Sequence, residues 1–366
     1  MRRLPAVIFV AALATSFAGA PAAAGPALLF DAANGKVLYA EDQDNLWYPA
    51  SLTKIMTAYL AFDALKSGRL TLEQKIKVSE KANLQAPSKV GLAVGQEMTV
   101  DLAIKALIVK SANDVAMMLA EAIGGSEEDF VKLMNDTARR LGMVRTRFVN
   151  PNGLPAPDQV TTARDLAKLA RAVIRDFPDQ VPLWAMAEVQ IGKKKLASHN
   201  GLLRTLEGAD GIKTGFICDS GFNVVASATR DGRKLIAVVL GDQSGRDRNV
   251  RAASLLEHGF QMQGWKQLFN STTIDSMPVA EDAKGALSVR QTIVSWDCGN
   301  RKRQPPKVQK GKAVAGASGA AKEKAVKAKT GAAAATPAAV TPAPPAPAAA
   351  KQKSANKAGP AVKTGE

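Results

Sequence analysis

The chain has 366 residues, 46% of them apolar, enough to build one large domain or two ordinary ones around a sizeable core. Its net charge of +16 would suit a nucleic-acid or membrane binder, yet residues 301–366 alone carry fourteen Lys/Arg against Glu323 and Glu366, a net of +12. Arg2 and Arg3 add +2, which leaves +2 for residues 4–300: the body is close to neutral, and its composition makes no case for binding nucleic acid.

Residues 1–24 read as a secretory signal. Arg2 and Arg3 form a basic start, Leu4 to Leu13 an apolar stretch, and Ala22-Ala23-Ala24 before Gly25 a small-residue cleavage site. The apolar run falls short of the roughly 20 residues a membrane span needs, and no later segment qualifies. The expectation is export to the periplasm or cell envelope without a transmembrane anchor.

Ala27–Asp31 and Lys36–Ala40 flank Asn34-Gly35, a β-hairpin signal. Ser51 to Lys66 has a helical pattern with Ile55, Ala58, Tyr59 and Phe62 on one face, closed by Gly68. Further helices are predicted over Asp101–Val109 and Asp114–Ile123, separated by a break at Lys110-Ser111-Ala112-Asn113, and over Ser126–Leu141 and Thr162–Phe177. Asp210–Phe216, Asn223–Thr229 and Lys234–Leu240 read as strands, followed by an amphipathic helix over Arg248–Phe260. A hairpin, then helices, then strands and a helix predict one mixed α/β domain over residues 25–268, with a sheet drawn from both chain ends. Residues 269–300 are a linker or small extension. Residues 301–366, rich in Ala, Pro and Lys and without aromatics, cannot bury enough surface to offset their ordering entropy and are expected to be disordered.

Three short motifs carry chemistry: Ser51-Leu52-Thr53-Lys54, Ser111-Ala112-Asn113 and Lys213-Thr214-Gly215. Spacing alone does not establish them. The tail contains Ser354-Ala355-Asn356-Lys357 and two further Lys-Thr-Gly runs, at 329–331 and 363–365, with no core around them. Placement discriminates, because Ser51 opens a predicted helix, Ser111 sits at a helix break and Lys213 on a strand. At i and i+3 of a helix, Ser51 and Lys54 share a face. A serine needs a neighbouring base to become a nucleophile. A lysine serves as that base when burial and a second cation, here Lys213, lower its pKa by roughly 3 units. Histidine chemistry competes poorly, since only His199 and His258 exist, no G-x-S-x-G surrounds either plausible serine and there is no H-E-x-x-H. No metal or cofactor is called for.

The motifs in this order are those of penicillin-binding proteins and class A β-lactamases. Residues 25 to about 268 resemble the serine D-alanyl-D-alanine carboxypeptidases, the low-molecular-mass penicillin-binding proteins. The resemblance extends to Phe30–Tyr39, Tyr48–Thr57, Asn150-Pro151-Asn152-Gly153-Leu154, His199–Leu203 and Gly208–Gly215. It implies a penicillin-binding, β-lactamase-like transpeptidase fold: an antiparallel sheet flanked by helices, with a helical subdomain. It also implies roles. Ser51 would form an acyl-enzyme, activated by Lys54; Ser111 and Asn113 would line the opposite wall; Lys213, Thr214 and Gly215 would bind the substrate backbone and carboxylate. Phe216 would lend a backbone N–H to the oxyanion. Arg248 would face the terminal carboxylate, with Arg246 close enough to take that place instead. The implied substrates are peptidoglycan stem peptides ending in D-Ala-D-Ala, and β-lactams the implied inhibitors.

The alternatives are a D,D-endopeptidase cutting cross-links, a β-lactamase, or a non-catalytic envelope protein whose basic tail associates weakly with anionic surfaces. Against the β-lactamase, Asn150–Leu154 offers no carboxylate to activate a deacylating water. Taken singly, Ser51 could be a helix N-cap, His199 a structural residue and Cys218 a small buried hydrophobe. An oxidising compartment permits a Cys218–Cys298 disulfide, but two isolated cysteines do not require one.

Overall fold

The computed structural model describes residues 25–262, 271–293 and Cys298. The expected signal segment and basic tail lie outside them. The chain opens with the hairpin β1 (Ala27–Asp31) and β2 (Val37–Glu41), turned at Gly35 with φ 75°. A 3₁₀ turn over Ala50–Thr53 leads into α1 (Lys54–Lys66). A short ribbon of β3 (Lys75–Lys77) and β4 (Glu97–Thr99) encloses α2 (Glu80–Asn83). Four helices follow: α3 (Val100–Val109), α4 (Asn113–Gly124), α5 (Glu127–Arg140) and α6 (Ala163–Asp176). A hairpin of β5 (Glu188–Ile191) and β6 (Lys194–Ala197) and the short α7 (Leu202–Thr205) precede β7 (Ala209–Ile217), β8 (Gly221–Arg230), β9 (Arg233–Asp242) and α8 (Gly245–Gln261).

The main sheet runs β2-β1-β9-β8-β7, antiparallel throughout, so β1 from the chain start pairs with β9 near its end. Both faces are covered. Leu28, Phe30, Val225, Ile236 and Val238 point into the helical side, whereas Leu29, Val224, Ala226, Ala237 and Val239 meet Ala252 and Leu256 of α8. This explains why β8 and β9 read as continuous apolar runs: neither face meets water.

The helix starts follow from capping. Thr99, Ser126, Thr162 and Ser244 each accept a hydrogen bond from a backbone N–H three residues on, satisfying a donor that the first turn leaves orphaned. The last helix therefore begins at Gly245 rather than Arg248, which puts Arg248 in its first turn. The expectation of a one-sided α1 is corrected. Residues Lys54 to Phe62 are all buried, because α3, α4 and α6 pack around the helix and leave no solvent face.

Residues 271–293 pack against the body. Ile274 and Ile293 are buried, Thr273 bridges Lys36, and Ala280 donates its N–H to Asp44 Oδ2 at 3.0 Å. Asp44 is also the buried partner of Arg164, whose guanidinium reaches the Pro278 carbonyl at 2.7 Å. Cys218, at the end of β7, is disulfide-bonded to Cys298 with Cα atoms 5.5 Å apart. The reading of Cys218 as a lone buried hydrophobe is thereby overturned. Its partner lies 80 residues away, and no local pattern marks such a pairing. No helix among the described residues is long and apolar enough to cross a membrane.

Candidate active site

A cleft of about 630 Å³ opens where β7, the 3₁₀ turn and the α3–α4 junction converge. Ser51, Ser111, Asn113, Thr214, Gly215, Phe216 and Arg248 all line it, and Lys54 and Lys213 lie buried beneath. The structure thus brings the three motifs together from segments up to 162 residues apart in the chain. The tail copies lie outside the described residues.

Ser51 does not cap a helix. It sits inside the 3₁₀ turn preceding α1, after Ala50 in the left-handed region at φ 49°. Lys54 opens α1, and its Nζ lies 2.9 Å from Ser51 Oγ, 2.7 Å from Asn113 Oδ1 and 2.6 Å from the Asn152 carbonyl oxygen. Asn113 Nδ2 donates to the Ala86 carbonyl at 2.8 Å, which fixes the amide with its oxygen toward Lys54. Burial lowers the Lys54 pKa well below the usual amine range, and the charge of Lys213 adds to this, while Asp114 opposes it. A neutral amine there has two N–H groups for Asn113 Oδ1 and the Asn152 carbonyl. Its lone pair is then left for the Ser51 hydroxyl proton.

On the other side, Lys213 Nζ donates to Ser111 Oγ and to the Thr214 carbonyl, both at 2.9 Å. Burial, then the neighbouring Arg248, lowers its pKa to about 7. Ser111, at the junction of α3 and α4, holds φ 59°, a strained value for a serine. Arg248 is buried and lowered to about 10 by desolvation, with Asp242 opposing the shift. Its Nε and Nη2 donate to Asn249 Oδ1 at 3.1 and 2.9 Å. Arg246 does not line this cleft; it lies on a neighbouring cavity.

β7 is an edge strand, so its outer backbone faces the cleft. Gly215 allows it to approach the nucleophile turn: a Cβ at this position would stand 3.1 Å from Ser51 N and 2.9 Å from the Pro49 carbonyl oxygen. Phe216 stacks on Phe222, ring centroids 4.2 Å apart. No Asp or Glu side chain among the described residues lines the cleft. Nor do three His, Cys, Asp or Glu side chains among the described residues gather as metal ligands would.

Two contributors carried no assigned role in the sequence. Asn152 supplies a backbone carbonyl to Lys54, and Gly153 has φ 82° with a hypothetical Cβ only 1.8 Å from the Ala50 oxygen. Both lie in Asn150–Leu154, whose Asn-Pro-Asn-Gly composition signals a turn but not its partner. His199, read as structural, stands at the cleft rim. Partial desolvation and then the charges of Lys213, Lys110 and Arg248 hold its pKa below the usual imidazole range.

Residues 14–244 match the family described as D-alanyl-D-alanine carboxypeptidase, Peptidase S11. The chain is 38% identical over 241 residues to the D-alanyl-D-alanine carboxypeptidase DacC of Escherichia coli K12, covering 64% of this chain and 60% of that one. The chain thus spans about three-fifths of the length of the curated relatives it matches first. Penicillin-binding protein 5 of Haemophilus influenzae superposes with a TM-score of 0.63 at 36% identity, covering 65% of this chain and 71% of that one. Penicillin-binding protein D2 of Listeria monocytogenes, solved with ampicillin bound, gives 0.60 at 32% identity, covering 65% and 97%.

Proposed function

The chain belongs to the D-alanyl-D-alanine carboxypeptidase family, and from that membership and the cleft geometry we propose that it is a serine carboxypeptidase removing the terminal D-alanine from peptidoglycan stem pentapeptides. The observation that carries this reading is Lys54 Nζ, buried and held 2.9 Å from Ser51 Oγ by two other acceptors. A lysine in this place is a base kept neutral by its surroundings and aimed at one hydroxyl.

The substrate's peptide backbone lies along the open edge of β7, as an added strand would. Its terminal carboxylate faces Thr214 and Arg248. Lys54 takes the Ser51 proton as Oγ attacks the D-Ala-D-Ala carbonyl. The oxyanion is met by the backbone N–H groups of Ser51 and Phe216, a pairing supported by the close approach of Gly215 to the Ser51 backbone. Ser111, bonded to Lys213, delivers a proton to the departing D-alanine amine. Asn113 holds both Lys54 and the substrate amide. Water then hydrolyses the ester and restores the serine.

β-Lactams, which mimic the dipeptide, acylate the same serine. With no carboxylate among the described residues lining the cleft to activate a deacylating water, the adduct should be slow to hydrolyse, which disfavours a β-lactamase. In this reading residues 1–24 direct export to the cell envelope, residues 25–268 hold the catalytic domain, and residues 301–366 form a basic spacer in weak, salt-sensitive contact with anionic envelope surfaces. The reading is tested by D-alanine release from a muropeptide pentapeptide. The wild type should release one equivalent and Ser51→Ala none; equal release by both would refute it.

A further inference from the structure

Residues 271–293 return to one turn beside the cleft. That turn, Cys218 to Ser220, joins β7 to β8, and Asp219 within it accepts hydrogen bonds from three successive residues. Ser288 Oγ donates to Asp219 Oδ1 at 2.6 Å, and the Val289 N–H donates to the Asp219 carbonyl at 3.0 Å. Arg290 Nη2 reaches Oδ2 at 2.9 Å while its Nε reaches Oδ1 at 3.3 Å, a two-pronged grip that fixes direction as well as distance. The Arg290 guanidinium and the Ser288 hydroxyl hold the Asp219 carboxyl below the usual carboxylate range. Two further ties reach the same turn. Buried Ile293 lies so close to Gly221 that a Cβ there would stand 2.9 Å from its Cδ1, and Cys298 is bonded to Cys218.

This turn follows directly on the strand end that the chemistry uses. Phe216 lies three residues before Asp219, and both Phe216 and Ile217 line the cleft. β7 is an edge strand, paired with β8 alone among the described residues, so no neighbouring strand steadies its outer side. The Ile217 N–H is met inside the turn by Ser220 Oγ at 3.3 Å, and Trp47 Nε1 donates to the Ser220 carbonyl at 2.9 Å. Ser288, Val289 and Arg290 add a hold that the sheet does not supply. They do not line the cleft, and they lie beyond the residues 14–244 that match the family.

The side chains of Arg290 and Asp219 are 51% and 29% exposed, so their attraction is screened and adds little to the stability of the whole fold. Position is more sensitive than stability. An oxyanion donor displaced by a fraction of an ångström loses transition-state stabilisation while the protein stays folded.

We propose that Ser288 and Arg290 are positioning residues for acyl transfer: by gripping Asp219 they hold the end of β7 so that the Phe216 N–H stays aimed at the oxyanion. This rests on the carboxypeptidase reading, in which that N–H is a donor. Both residues act through Asp219 and the strand rather than on the substrate. Their loss therefore falls on the acylation step and spares the first, non-covalent binding of the ligand.

The test follows acylation after rapid mixing of benzylpenicillin with the full-length wild type, Ser288→Ala/Arg290→Ala, Arg290→Lys and Asp275→Ala. Saturation with penicillin separates the Kd of the first complex from the first-order acylation constant. The double variant should lose about fivefold or more in the first-order constant, with Kd within about twofold. Arg290→Lys should fall between the two, since it keeps the charge but not the two-pronged grip. The acid limb of the pH profile should not move, because Lys54 is untouched. Asp275→Ala removes an ion pair to Arg171 elsewhere in the same segment and should acylate like the wild type. The labelled fraction reports how much of each sample is folded. The proposal is overturned if the double variant acylates at the wild-type rate, if its loss appears only in Kd or in the labelled fraction, or if Asp275→Ala slows equally. A wild type that takes up no penicillin would instead remove the acyl-enzyme reading, and this one with it.

Discussion

Lys54 Nζ lies 2.9 Å from Ser51 Oγ, with the lysine only 1% exposed at the foot of the cleft. A base in this position works only while it is neutral. Its pKa is depressed, so it remains neutral well below the pH at which an ordinary lysine charges, and it gains a proton as pH falls through the lowered value. The rate of Ser51 acylation by a penicillin should therefore be flat at alkaline pH and fall about tenfold per pH unit on the acid side. Lys54→Ala should reduce it about 10²- to 10⁴-fold on the alkaline plateau and by less as pH falls. Acylation rates measured across the pH range by mass spectrometry check both.

Lys213 links pH to stability. Its folded pKa is about 7, against 10.5 for a free lysine, so between those values the unfolded chain binds the extra proton and the folded protein does not. Stability then rises with pH across that window, by up to about 1.4 kcal/mol per unit from this group alone. Below pH 7 both states are protonated, and the full cost of the buried charge remains. The stability of the wild type minus that of Lys213→Met, from urea titrations at pH 7 and pH 10, should grow as pH rises. A difference that stays constant would mean Lys213 is not held neutral.

Gly153 and Gly215 should fail in different ways. At Gly153 the positive φ and the Ala50 carbonyl together exclude any side chain, so Gly153→Ala should destabilise the fold by several times the cost at a control position. Gly68 is that control, with φ 71° and nothing within 4 Å, where Ala should cost about 1–2 kcal/mol. Gly215→Ala would set its Cβ 2.9 Å from the Pro49 carbonyl oxygen and 3.1 Å from Ser51 N, so the backbone of the nucleophile turn must move. It should lower the melting temperature less than Gly153→Ala while slowing acylation. Thermal melts paired with penicillin labelling separate the two outcomes.

The Cys218–Cys298 bond closes a loop of 80 residues and anchors the end of β7, two residues beyond Phe216. Cys298→Ser should lower stability by about 2–4 kcal/mol. A reducing agent should have the same effect on the wild type and none on the variant, as read by denaturant midpoints.

Local rules made much of this fold legible. Asn34-Gly35 located the first hairpin, and Ser126 and Thr162 marked helix starts that prove to be their caps. Lys213-Thr214-Gly215 lies on a strand as its pattern implies. What escaped depends on partners distant in sequence. Lys54 is fixed partly by the backbone carbonyl of Asn152, and a carbonyl looks the same at every residue. The strained φ values of Ala50 and Ser111 are imposed by the packing around them, and neither residue type announces such a conformation. The ribbon of β3 and β4 and the hairpin of β5 and β6 are three- and four-residue strands with few buried positions, too short for an alternating pattern. Residues 271–293 attach through Ile274 and Ile293, too far apart to show a period, and through Asp44, Arg164 and Asp219, polar groups with no periodicity to read.

The most direct test of Ser51 as the nucleophile is intact-protein mass spectrometry after incubation with benzylpenicillin, followed by peptide mapping. The wild type should gain the mass of one penicillin, located on the peptide containing Ser51, and Ser51→Ala should gain none. An adduct that persists in Ser51→Ala, or rapid penicillin hydrolysis by a wild type that accumulates no adduct, would contradict the account.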